Sequence, residues 1–120
     1  MQVDRQKELA GVDVRAVLER LNGDTELLSK LLRQFAAELP PRVHVICRLA
    51  SGGQLDKLRR EARCLAGSAG SLSANEVRAT AHALEDKAAL EDPAKLRAAL
   101  GRLLVASARL AQSVARLSKT

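Results

Sequence analysis

Apolar residues fall in steps of three and four along most of this chain, and each run ends at a residue that starts or stops a helix. Val14, Val17, Leu18 and Leu21 mark one face of a short helix, with Asp13 as its N-cap and Val12 and Val17 stapled across the cap. Gly23 ends that run. Asp24 restarts the chain, with Glu26 in the first turn, where the helix dipole favours negative charge. Leu28, Leu31, Leu32, Phe35 and Leu39 form the stripe of a second helix. Pro40-Pro41 predicts a kink or a split, because each proline lacks an N–H and crowds the preceding turn. Val43, Ile46, Leu49 and Ala50 carry the apolar run on to a stop at Ser51-Gly52-Gly53.

Leu55, Leu58, Ala62, Leu65, Ala69 and Leu72 hold a 3-4-3-4-3 phase straight through Gly67-Ser68-Ala69-Gly70-Ser71, a stretch that composition alone would read as linker. The unbroken phase predicts a helix. Each interior glycine costs ~1 kcal/mol relative to alanine, so the expectation is that something approaches the backbone closely. Ser73 with Glu76 predicts a capping box, and Leu72 with Val77 its staple, for a helix with Val77, Ala81, Leu84 and Ala88 inside. Asp92-Pro93 opens the last helix, in which Leu96, Leu100, Leu103, Ser107, Leu110, Val114 and Leu117 alternate steps of four and three. A 3.5-residue repeat packs helices at about 20°. The expected fold is therefore one all-α domain over residues 1–120. It is an up-down four-helix bundle whose second helix is kinked or split at Pro40-Pro41, with a short N-terminal helix and residues 1–10 helical or frayed.

Composition narrows the function. The 120 residues include 21 Ala and 21 Leu but one Phe and no Tyr or Trp. That leaves no aromatic platform for single-stranded nucleic acid and no aromatic cage for a cation. The apolar runs are too short to span a membrane, and the N-terminus lacks the apolar region of a secretory signal, so a cytoplasmic location is expected. Cys47 and Cys64 lack metal-ligand spacing and read as buried or half-buried thiols. Neither a hydrolase triad nor a phosphate-cradling glycine loop is present in the sequence, so no cofactor, no metal and no catalysis are expected. Twenty Lys+Arg against 14 Asp+Glu give a net charge of +6. That charge is compatible with nucleic-acid binding. The basic residues read as spread over every helix with acids interleaved, however, and no helix-turn-helix signature accompanies them.

The run from Leu55 to Leu72 resembles the central segment of histidine-containing phosphotransfer (HPt) domains. The resemblance rests on Ala62, Gly67, Ser68, Ala69, Gly70 and Leu72, on the later Leu84-Glu85, and on Leu18, Leu21, Gly23-Asp24, Leu31-Leu32 and Phe35 upstream. It covers about residues 11–117. Two departures fall on the residues that do the family's chemistry: Arg63 stands where the family has its phospho-accepting histidine, and Ala66 where it has the following lysine. Neutral imidazole can attack an aspartyl phosphate, and its ordinary pKa of ~6.5 keeps it neutral in cells. A guanidinium, protonated up to a pKa above ~12, has no free lone pair. Arg63 is not a phosphoryl acceptor.

The resemblance implies that a docking surface remains. Arg60, Arg63, Gly67 and Gly70 are spaced 3-4-3, with Lys57 and Arg59 adding charge nearby. A planar guanidinium suits the acidic pocket of a response-regulator receiver domain. The expectation is a monomeric, non-catalytic module that docks a receiver or a hybrid histidine kinase through Arg63, Arg60, Gly67, Gly70, Arg59, Ala66 and Val45, with Arg63 as an electrostatic plug. Several alternatives stay open beside it. Arg63 could be an ordinary solvated arginine. His82, which the hairpin brings level with Arg63, could be a relocated acceptor, a role for which His44 has less in its favour. The chain could instead be an adaptor or dimerisation bundle, with Leu104 and Val105 beside the inner stripe of the last helix, or a nucleic-acid binder.

Overall fold

Three aspartates begin helices as the pattern predicts. The computed structural model describes residues 9, 11–90 and 92–117. Among them, Asp13 accepts from the amide of Ala16 at 3.1 Å, opening α1 (Val14–Arg20), and Asp24 accepts from Leu27 at 3.0 Å, opening α2 (Thr25–Ser51). Asp92 accepts from Ala94 and Lys95 at 3.0 and 3.2 Å, ahead of α5 (Pro93–Leu117). Between these lie α3 (Leu55–Ser71) and α4 (Asn75–Ala89), and no strand occurs among the described residues. Most of residues 1–10 lie outside the described part, Leu9 excepted.

The inner stripes assemble one core. Leu28, Leu32 and Leu39 of α2, Leu58, Ala62 and Leu65 of α3, Val77, Ala81 and Leu84 of α4, and Leu103 and Leu110 of α5 are all buried in a single cluster. Helix α2 packs on α3, α3 on α4, α4 on α5 and α5 back on α2, which closes a four-helix ring in which α3 and α5 are diagonal. The α3–α4 hairpin is the shorter pair. At 17 and 15 residues against 27 and 25 it leaves α2 and α5 running on, by roughly 15 Å at 1.5 Å per residue. The N-terminal strap closes that end. Val12 bridges to Ala74, the amide of Asp13 donates to Ser73 O, and the amide of Glu76 donates to Gly11 O. Gly11 has φ +73°, and a Cβ there would collide with Cβ of Glu76, so only glycine lets the strap lie this close.

Two expectations need correction. Of the expected kink or split at Pro40-Pro41, the split does not occur; α2 runs through both prolines as one helix. The two residues are exposed, and the carbonyls they leave without a helical donor, those of Ala36 and Ala37, lie on the half-buried to exposed side of the helix. Leu39, Val43 and Ile46 stay in phase in the core across them, and that packing outweighs the local cost. Ser73 and Glu76 form no capping box. Ser73 (φ +53°) instead ends α3, its amide donating to Gly70 O at 3.1 Å while the amide of Ala74 donates to Ala69 O at 2.9 Å. Its hydroxyl accepts from Nη2 of Arg20 at 2.9 Å, and Glu76 turns to Arg109 of α5 at 3.1 Å. A left-handed serine costs about 1–2 kcal/mol. The Arg20 bond, together with the one from Asp13, holds it there.

Candidate functional site

Helix α3 carries the site because its core stripe leaves Arg60, Arg63, Cys64 and Gly67 facing out. Asp56, Arg59, Arg60 and Arg63 line a shallow cleft along that face, with guanidinium groups outnumbering the single carboxylate. Arg59 is half-buried, and its Nε is enclosed without a hydrogen-bond partner. Cys64 is exposed and Cys47 half-buried, both as free thiols, so the expectation of concealment fails for Cys64.

Arg63 is not free in this structure. Its Nε donates to Oε2 of Glu85 on α4 at 2.8 Å, and its Nη2 lies 2.7 Å from the same oxygen. The hairpin sets residue 63 level with the middle of α4, so His82, three residues before Glu85, joins the cluster with Nδ1 3.7 Å from Oε1. Arg63 and His82 are 67% and 55% exposed, whereas Glu85 is only 14% exposed. The Arg63 hydrogen bond is the largest influence on the Glu85 carboxyl and, with the Arg63 charge and the neighbouring His82, holds it below its ordinary 4.5 although burial pushes the other way. Glu85 was legible in the sequence as half of the Leu84-Glu85 pair, but its bond to Arg63 was not. Counting both arms of the hairpin from the turn at Ser73 puts residue 63 level with about residue 83, which pointed to His82 rather than to Glu85.

The two glycines differ. A Cβ at Gly67 would meet nothing within 4 Å, whereas one at Gly70 would come within 3.2 Å of Cδ of Arg78. The expected close approach is therefore intramolecular at Gly70, while the space over Gly67 is open. Ala66 must be withdrawn as a contact residue. It is 1% exposed, sits beside the buried Leu65, and its methyl group is too short to reach the surface. Val45 is 44% exposed, but on α2, which flanks α3 on the side away from Glu85. His44 is exposed on the same helix. Among the described residues, no group of His, Cys, Asp and Glu side chains could hold a metal ion, and no helix is long and apolar enough to cross a membrane.

The charge distribution also differs from the sequence-based reading. Acids interleave with bases on α1 to α4, but α5 has five basic residues and no acidic one.

No curated protein and no solved structure matches the chain. The family model described as the Hpt domain matches residues 30–120, from early α2 to the C-terminus. That span contains α3, α4, α5 and all but the first five residues of α2, with both arms of the Arg63–Glu85 pair. The chain belongs to the Hpt domain family.

Proposed function

We propose that this member of a phosphorelay family docks a receiver domain, or a hybrid kinase bearing one, without carrying phosphate itself, and so sequesters or scaffolds its partner. One observation carries the reading. At the position where the resemblance puts the acceptor histidine, the Arg63 guanidinium is 67% exposed, in a cleft shared with Arg59 and Arg60 and one turn from the open space over Gly67. Its bond to Glu85 is no obstacle, since an ion pair with so exposed a partner contributes only about 0.2–1 kcal/mol. Both contacts fall on Oε2, and Nη1 is left for carboxylates of the partner.

The test is a titration against a panel of receiver domains, with a phosphoryl-charged set in parallel. Selective binding that Arg63→Glu abolishes and Glu85→Gln preserves supports docking. An unchanged dissociation constant in Arg63→Glu reduces Arg63 to a surface ion pair.

The cluster favours one second reading. Glu85 faces Nδ1 of His82, which leaves Nε2 to attack an aspartyl phosphate. The phosphorus–nitrogen bond would form as the phosphorus–oxygen bond breaks, releasing the aspartate carboxylate, with Arg63 near the transferred oxygens. Acid-labile phosphate that appears on the chain and disappears in His82→Ala would establish this reading against the first.

A further inference from the structure

Helix α5 has the most one-sided charge in the molecule. It holds five of the 20 basic residues and none of the 14 acidic ones, leaving 15 against 14 elsewhere, so the net +6 belongs almost wholly to one helix. Lys95, Arg102, Arg109 and Arg116 recur every seven residues and all are exposed. Positions a heptad apart drift by only ~20° on a straight helix, so these four form a single row. The bond from Arg109 to Glu76 at 3.1 Å places the row on the edge of α5 nearer α4. Among the described residues no other ion pair reaches it.

Beside the row the outer face is low and mostly apolar, with Arg97 and Gln112 as its exposed polar residues. Val105 is 58% and Leu104 42% exposed, and a Cβ at Gly101 would meet nothing within 4 Å. A line of like charges flanking apolar contacts is how one helix of a pair sets the choice of its partner. A face this shallow also lets a second helix axis approach to about 8–10 Å.

We propose that the outer face of α5 is a docking seam for an acidic amphipathic helix of a partner protein, one with Asp or Glu at heptad spacing beside apolar residues. Charge complementarity selects this occupant. A second copy of the chain, paired antiparallel about a two-fold axis, would set the arginine row against itself. A nucleic-acid backbone would meet the cations but leave Val105 and Leu104 uncovered. A lipid surface would find no aromatic to anchor in it, since the only Phe is the buried Phe35 of α2. Because α5 is diagonal to α3, the seam and the arginine cleft can be occupied together.

The test uses the full chain, isotope-labelled for NMR, and a synthetic helical peptide of four heptads with Leu and Ala on its apolar seam and Glu flanking it. Its Lys-for-Glu counterpart, a DNA duplex and phosphatidylserine vesicles are run in parallel. The expected result is that the Glu peptide shifts amides along the outer face of α5. Binding should weaken by about tenfold or more in Arg102→Glu/Arg116→Glu and in Val105→Asp. Gly101→Leu should weaken it as much while leaving the chain at least as heat-stable, because the space there is open. The proposal is overturned if the Glu peptide leaves α5 unperturbed, or if the Lys peptide, the duplex or the vesicles engage the face equally well. It is also overturned if Val105→Asp and Gly101→Leu, both folded, bind with unchanged affinity.

Discussion

Helices α3 and α5 face away from each other across the bundle, and each presents arginines around an exposed glycine with open space above it, Gly67 on one and Gly101 on the other. They differ in where their charge is answered. On α3, Asp56 shares the cleft with the arginines and Glu85 reaches over from α4 to hold Arg63. On α5 no acid is present, and among the described residues only Arg109 is met by an acid from outside, Glu76. An arginine with a carboxylate at hand can give it up to a partner at modest cost, so the proposed docking on α3 would exchange one acid for another. A row left unanswered keeps its field in solution, limited only by salt.

The largest test concerns the faces the two helices have in common. Leu65→Ala on α3 and Leu103→Ala on α5 remove side chains that are 0% exposed, and each should cost about 2–5 kcal/mol in urea unfolding. Losses of similar size confine the comparison to the outer faces; a cost below about 1 kcal/mol at either site would extend it into the core. Next in size is the effect on affinity. Arg63→Glu should weaken receiver binding by about tenfold or more, roughly 1.4 kcal/mol, whereas Arg102→Glu on the far side should leave it nearly unchanged. Equal losses would mean that the receiver senses bulk charge, and the distinction between the faces would collapse.

The glycines come third. Gly67→Ala and Gly101→Ala should each stabilise the fold by up to about 1 kcal/mol in thermal melts, because nothing opposes the added methyl group. Gly70→Ala should gain less, since Cδ of Arg78, at 3.2 Å, must move aside. The smallest effect is that of Glu85→Gln. The Glu85 carboxyl is held below 4.5 when folded, so its contribution to stability is present above that pH and lost as pH falls through the lower folded value. With Arg63 67% exposed, the difference between parent and variant should stay below about 1 kcal/mol at neutral pH and vanish in strong acid. A difference that persists in acid would remove the ion pair as its cause.

Much of the fold was legible because helix signals are local. The aspartate caps and the three-and-four phase were read within a few residues of each element, and the phase through Gly67 and Gly70 proved a better guide than the linker-like composition around them. The site was legible only in outline. Arg63 and Gly67 could be placed on an outer face from spacing. Position 66, just over a quarter of a turn from Gly67, could not be assigned to either side until the packing of the hairpin buried it.

By itself the sequence determined the helices, their inner faces and the charge that each one carries, since all of these are set by neighbours along the chain. Tertiary structure decided the rest. It carried α2 through Pro40-Pro41 by packing residues on both sides of them into one core. It took Ser73 from a helix cap to a left-handed turn through Arg20, 53 residues away, and brought Glu76 to Arg109 across 33. It also joined Arg63 to Glu85 across 22 residues. In each case the deciding group lies outside the element it settles, and packing brings the two within reach.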